Sequence, residues 1–404
     1  MASYSSILDL LPDLHHSQTA ILLLRHCFSY CRAVYIMRTV PPSLFESAAT
    51  KFDAKIRACF ESVLGTSLRP NGWIQTQLST SLGGFGLRSV KLHAPGAFLA
   101  SVNLNSHISD SAATELKPFT NVALEELQKS TGSNPSEDKT QKEHSENIDK
   151  ALHQKLSTES SPTDLKRLAS VVRPHADAWI QAPPSRGLGL FFTDAEFRTA
   201  CLRWLGENIT PTASTCLACN ESNSPKASHT LRCRRNGDII ARHNGLRDRI
   251  AAFASSACLE PVKEKAGLLG DVPGQRPADI FLPRLFNGLP TAIDVAVTCP
   301  LQERFKNDAN PAERYAAETK HNKYDNGFVG TNIEFVAAVV ETFGGWNEEG
   351  EATIREIIRR AAKRLITTPA PYINTCWQQL SCFLQIMNSR ATLNRIPPPP
   401  ERQC

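Results

Sequence analysis

Cys216-Leu-Ala-Cys219, followed by His229 and Cys233, opens a stretch that runs through Arg242-His243-Asn244, Arg276-Pro-Ala-Asp279 and Ala292-Ile-Asp-Val-Ala-Val297 to Lys320-His-Asn-Lys323-Tyr324. Nearly every residue with chemical consequences falls inside it, so the fold is read outward from here. Its first part has the pattern C-x2-C-x9-H-x3-C. Thiolate and imidazole are the ligands tetrahedral zinc prefers, and Cys-x2-Cys lets two sulfurs on one turn grip the same ion. His229 and Cys233, a helical turn apart, can close the shell. Four protein ligands leave no open position, so Cys216, Cys219, His229 and Cys233 read as a structural Zn²⁺ site. The middle spacing is not the commonest finger spacing, and the alternative is a set of incidental buried cysteines. Cys201, Cys258 and Cys299 lack paired spacing and read as core residues.

Downstream, Ala278 to Leu282, Thr291 to Thr298 and Ile333 to Thr342 are short β-rich runs, and Pro311 to Tyr324 is helical, which together suggest a small α/β unit. Asp294 lies inside an apolar strand, where a carboxylate is costly unless it meets a cation or a partner. Asp279 and Asp294, brought to neighbouring strand ends, would provide hard oxygen ligands for Mg²⁺. Lys320 and Lys323 sit three apart on a helix and can face the same site, with Tyr324 four after Lys320. The competing interpretation is a structural carboxylate at 294 paired with Arg276. Asn244 reads first as the N-cap of a helix through Leu246 to Phe253, His243 as a phosphate contact or a general base, and Glu341 and Trp346 as packing residues.

At 404 residues, 41% hydrophobic and 21% charged, the chain has the composition of a soluble globular protein of two or three units. It shows no membrane span and no secretory signal, and scattered cysteines in so long a chain suggest a reducing compartment. The formal net charge of +5 is small for this length. Seven lysines and arginines between Lys226 and Arg249 face only Asp238 and Asp248, so one segment matches the surplus of the whole chain. Arg234, Arg235, Arg242, His243 and Arg247 are the candidate phosphate contacts in that segment, and a solvated helix face is the alternative.

Residues 1 to 112 read as helical, with Ser17 to Met37 and Leu44 to Leu64 as the clearest helices. The cluster Leu82-Gly-Gly-Phe-Gly-Leu-Arg88 lacks a following Lys-Ser/Thr and reads as a tight turn rather than a phosphate loop. Residues 113 to 165 are polar and read as a partly disordered linker, with a transient helix from Asn147 to Leu156. Residues 166 to 250 carry an amphipathic helix opened by the capping box Thr193-Asp-Ala-Glu196, then the knuckle and the basic segment. Residues 251 to 368 read as the α/β core, closed by a helix from Glu351 to Ile366. Residues 369 to 404 read as a tail that is proline-rich after Ile396.

Leu24-Arg-His-Cys27, Tyr35-Ile-Met-Arg-Thr-Val-Pro-Pro42, Leu82-Gly-Gly-Phe-Gly-Leu87 and His93-Ala-Pro95 resemble the thumb and post-polymerase region of reverse transcriptases from non-LTR retrotransposons. The ordered set from the Cys-Cys-His-Cys pattern to Val340-Glu-Thr-Phe-Gly-Gly-Trp346 resembles the restriction-like endonuclease region of the site-specific members of that family. That resemblance implies an α+β protein, helical at its N-terminus, with a zinc knuckle and a small α/β restriction-endonuclease-like core. It implies a nuclear protein that nicks target DNA. Asp279 and Asp294 would bind the metal, Lys320 would be the catalytic lysine with Lys323 next, and element RNA would be a further partner. The paired aspartates of a polymerase palm are missing, since no Asp-Asp occurs in the chain, and Ala296 stands where restriction nucleases place a lysine. A truncated element with no polymerase activity is therefore expected. The alternative is a catalytically inactive zinc-knuckle module that binds nucleic acid.

Overall fold

The computed structural model describes residues 2–105, 110–132, 134, 139–269, 274–305, 308–365 and 368–398. The chain is mixed α+β, mostly helix, and divides into two units, residues 1–162 and 163–404.

The first unit is helical. Its α1 (Ala2–Leu10), α2 (Ser17–Leu23), α3 (Val34–Thr39), α4 (Pro42–Leu64) and α5 (Pro70–Gln77) lead to α6 (Val90–Leu104), then α7 (Asp110–Thr131) and α8 (Gln141–Thr158). Helix α6 is apolar or small nearly all round and is buried accordingly, between Met37, Phe45 and Ala49 along one side and Ala123, Leu127 and Ile148 along another. The helix expected over Ser17 to Met37 is broken: a π turn at Leu24–Phe28 and a non-helical Ser29 (φ −108°, ψ −133°) separate α2 from α3. By length and composition alone, the run Ser17–Thr39 is the one helical stretch among the described residues apolar enough to cross a membrane. The glycine cluster is a turn that hugs the end of α5, because a Cβ on Gly84 would stand 2.0 Å from the carbonyl oxygen of Leu78. Glycine is required there by close approach.

The stretch read as a polar linker holds α8, opened by a capping box at Thr140 and Glu143 and packed against α6 so closely that a Cβ on Gly96 would meet the His144 side chain. The linker expectation fails because few apolar anchors suffice when the polar residues of the buried face are paired. Asp149, almost fully buried, accepts from Arg88 at 2.8 Å, and His93 Nε2 lies 3.8 Å from its other oxygen.

The second unit starts with α9 (Pro162–Val171) and α10 (Asp194–Leu205), whose capping box at Thr193 and Glu196 is formed as expected. A two-residue hairpin, β1 (Ser214–Thr215) with β2 (Ser222–Asn223), precedes α11 (Asp238–Ser256). The main sheet follows: β3 (Val262–Lys263), β4 (Ile280–Leu282), β5 (Thr291–Thr298) and β6 (Glu334–Glu341), in that spatial order. The first three are antiparallel, and β6 runs parallel to β5 in unbroken register from Thr291↔Glu334 to Thr298↔Glu341. A parallel return needs a crossover, supplied by α12 (Pro311–Tyr315), a π segment Ala316–His321 and α13 (Asn322–Phe328). Burial on both faces is why β5 and β6 read as near-continuous apolar runs. Ile293, Val295, Val336, Ala338 and Val340 face one core, whereas Ala292, Ala296, Ala337 and Val339 lie beneath the crossover.

Two expected boundaries fall inside this core. Helix α11, divided by the expected boundary at 250, packs its Leu246 and Ile250 with the strands of the α/β core, with α14 (Glu348–Arg364) and with α15 (Pro369–Leu393). Residues 369–393 are therefore a core helix, not a tail; the proline-rich end beyond 398 lies outside the described residues. Its two prolines sit in the first turn, where no helical N–H is lost. Cys376, Trp377, Leu380 and Leu384 give it an apolar stripe, and Gln385 and Asn388 donate to the Thr342 carbonyl at 3.1 and 2.8 Å.

The Arg88–Asp149 pair gives the first unit a specific acid sensitivity. Burial alone would raise the Asp149 carboxyl, but His93 and Arg88 hold it below its ordinary 3.8. The pair's contribution is complete above about pH 3.8 and is lost as the pH falls through the lower folded value. Urea midpoints of the first-unit transition should drop over that interval in the parent chain and change less in Asp149→Asn; equal slopes would refute the assignment.

Candidate functional site

Cys216-Leu-Ala-Cys219 forms the turn of the β1–β2 hairpin. The Asn220 N–H bonds the Cys216 carbonyl at 2.9 Å, and Asn220 takes a left-handed φ of 63°, which a short polar side chain tolerates. His229 and Cys233 come from the next turn, where the Cys233 N–H bonds the His229 carbonyl at 3.0 Å. The four ligand atoms lie within 4.8 Å of one another. Cys216 and Cys233 sulfurs are 3.9 Å apart, against about 3.8 Å for two thiolates sharing a tetrahedral zinc. Cys219 Sγ is 3.1 Å from His229 Nε2, and His229 Nδ1 faces the Glu221 carboxylate at 3.3 Å. That carboxylate fixes which imidazole nitrogen is left for the ligand position. The cluster can hold a metal such as zinc. Its thiols do not ionise alike: despite burial, the Arg395 guanidinium and neighbouring donors bring Cys233 down to about 6, whereas Cys219, although the Glu221 N–H favours its thiolate, is pushed up to about 11 by desolvation and the other thiols.

Below the crossover, four side chains converge. Asp279 precedes β4 and is bonded through every polar atom. Its N–H donates to Ile293 O at 2.9 Å, its carbonyl accepts from Glu264 N at 3.0 Å, Oδ2 accepts from Val295 N at 2.7 Å, and Oδ1 meets His243 Nε2 at 3.0 Å. One residue beyond Ile293, Asp294 turns to the crossover face and pairs with Lys320 from the π segment. The Asp294 and Lys320 side chains are only 11% and 16% exposed. Burial pushes the Asp294 carboxyl up, the charge of Asp279 adds to this, and Lys320 pulls back only part of the way. Burial would lower Lys320, yet Asp294 and the nearby tyrosines hold it above its ordinary value. The hydrogen bond to Asp279 raises His243, against the opposing effect of burial.

Not every expected site residue joins this group. Lys323 is exposed, with its ammonium 2.8 Å from the Tyr324 hydroxyl and directed over that ring. Arg276 pairs with Glu264, not with Asp294. Arg242 is buried, donating to Asn388 Oδ1 at 2.6 Å and to Leu231 O at 3.3 Å, and Arg247 is buried between Asp248 and Glu264. These two arginines are therefore framework residues, because Arg242-His243-Asn244 lies within α11 and not at a helix start. Asn244 accordingly caps nothing. Arg234 and Arg235 are exposed, and with Arg232 they line the surface beside Cys219 and His229. Cys201 and Cys299 are buried as expected, but Cys258 is exposed.

Two residues of the centre were not singled out in the sequence. Glu221 follows the knuckle's second cysteine almost directly, a position from which a carboxylate can reach the histidine. Arg395 has no local signal at all: from the end of α15 it pairs with Asp238 and donates to the carbonyls of Arg235 at 2.5 Å and Cys233 at 3.5 Å. No protein-family model matches the chain, and no curated protein does so either.

Two outcomes follow from this geometry. Lys320→Met should destabilise the second unit by roughly 3–5 kcal/mol, because it leaves a buried carboxylate unpaired, and adding Asp294→Leu should recover much of that loss. Strictly additive chemical-denaturation energies would show that the two groups do not interact. The purified chain should carry one equivalent of zinc by elemental analysis, lost in Cys219→Ala; a metal-free chain with the same melting temperature as the zinc-loaded one would refute the metal assignment.

Proposed function

We propose that the second unit is a Mg²⁺-dependent DNA endonuclease of the kind carried by site-specific non-LTR retrotransposons, in a chain without a polymerase palm. The convergence of Asp279, Asp294 and Lys320 carries the reading. The donor set suits a hard cation: two carboxylates, one in β5 and one just before the adjacent β4, largely shielded from water, with one ammonium and one imidazole against them. Asp279 and Asp294 would hold the ion. Bound Mg²⁺ would supply Lewis-acid polarisation of the phosphate and orient the attacking water. Lys320 would neutralise charge that builds on the phosphate oxygens, and Ala292, Ala296, Ala337 and Val339 around it in β5 and β6 are apolar. Lys323 has no part in this assignment.

The exposed Arg232, Arg234 and Arg235 beside the knuckle favour a second role for the same unit, sequence-independent attraction to DNA or to element RNA. A nucleic-acid-binding module without cleavage would keep this surface and lose only the acidic cluster's chemistry. Nuclear residence belongs to either version.

Supercoiled plasmid incubated with the intact chain and Mg²⁺ should be nicked, and Asp294→Ala should reduce the rate by at least about a hundredfold. Arg234→Ala with Arg235→Ala should lower the dependence of log affinity on log salt by about one for each phosphate no longer neutralised. Salt-sensitive binding with no cleavage would leave the binding module, and cleavage that survives Asp294→Ala would refute the site.

A further inference from the structure

Asp279 is held by four bonds of unequal kind. Three of them use backbone groups of β5 and of the residue that follows β3, and they would form with any residue types in those strands. The fourth, from His243 Nε2 to Oδ1 at 3.0 Å, is, among the described residues, the hydrogen bond to the carboxylate that depends on another side chain. It also comes from a different element. His243 sits in the middle of α11, anchored on either side by buried Arg242 and Leu246, so its ring reaches the strand edge from a fixed base. Asp294, by contrast, has the Lys320 ammonium as its charged partner. The two carboxylates thus differ: one is countered by a cation, the other is oriented by an imidazole and by backbone.

We propose, resting on the nuclease reading above, that His243 is a positioning residue which sets the Asp279 carboxylate for a divalent cation. With Oδ2 committed to the Val295 N–H and Oδ1 bonded by His243, the carboxylate plane cannot rotate, and the remaining lone pairs point in fixed directions. Partners of this kind orient ligating carboxylates and histidines, and their loss typically weakens metal binding about 10–100-fold. The imidazole is 31% exposed and the Asp279 side chain 14%, so the ring shields the carboxylate on its solvent side without closing the site. His243 Nε2, bonded to Asp279, is not offered to the cation.

The test is direct binding of Mn²⁺ to the intact, zinc-loaded chain, read from the electron paramagnetic resonance signal of the free ion, for the parent, His243→Ala, His243→Gln and Asp294→Asn. The glutamine amide can reproduce the donor, and alanine cannot. Expected are an affinity about tenfold weaker in His243→Ala, recovery to near parental in His243→Gln, and nicking by His243→Ala that returns at high metal concentration. Parental Mn²⁺ affinity in a folded His243→Ala, with binding lost in Asp294→Asn, would overturn the positioning role while leaving the nuclease site standing. Weakened binding in both His243 variants alike would also overturn it, because donation would then not be what matters. A parent chain that binds no Mn²⁺ and does not nick DNA would overturn the nuclease reading and this proposal with it.

Discussion

A carboxylate inside a strand covered on both faces must be answered by a cation, and the Asp294–Lys320 pair is that answer. Much of the second unit is arranged to deliver it. The parallel pairing of β5 with β6 requires a crossover, the crossover must lie over one face, and Asp294 points to that face. Lys320 occupies a π segment, in which the extra residue per turn re-aims the side chains that follow. Ordinary α geometry continues on both sides of it, so the irregularity is confined to the stretch that carries the lysine. The opposite face of the sheet, packed by α11, α14 and α15, contains none of the four clustered groups apart from His243, which reaches around the strand edge from α11.

What could be read from the sequence was whatever local spacing determines. The knuckle ligands lie within eighteen residues, and β4, β5 and β6 announce themselves by β-branched runs. Capping boxes at Thr193 and the helices of α4, α12–α13 and α14 are local as well. Pairing across the chain was not readable. Arg242 and Arg247 look like phosphate ligands because arginine in a basic segment usually is solvated, yet Arg242 is paired with Asn388, distant in sequence, and Arg247 with Glu264 beyond the end of its own helix. Residues 369 to 393 read as one tail with the proline-rich end after Ile396, and only the Thr342 carbonyl shows where Gln385 and Asn388 spend their amides. Helix α8 was read only as a transient helix from Asn147 to Leu156 within a linker for the same reason: Asp149 looks solvent-bound until Arg88 is found beside it.

His243 shows how one wrong local inference hides a correct neighbourhood. Taking Asn244 as a cap places a helix start at the motif and leaves His243 in a loop, free to face any direction. With α11 running from Asp238, the same histidine acquires a fixed bearing toward Asp279.

The Arg395 contact has a consequence in the time domain of folding. Its guanidinium meets the Cys233 carbonyl across 162 residues, and Thr392 meets Thr230 across the same separation. The knuckle's turns are short-range and can form as soon as their residues exist, but the seal on them belongs to the last helix. Loop closure over such a span is costly before packing rewards it, so docking of α15 belongs late in the folding sequence. Until then the inner side of the turns is uncovered, whereas Cys219 and His229 stay at the surface beside Arg232, Arg234 and Arg235 even in the finished fold.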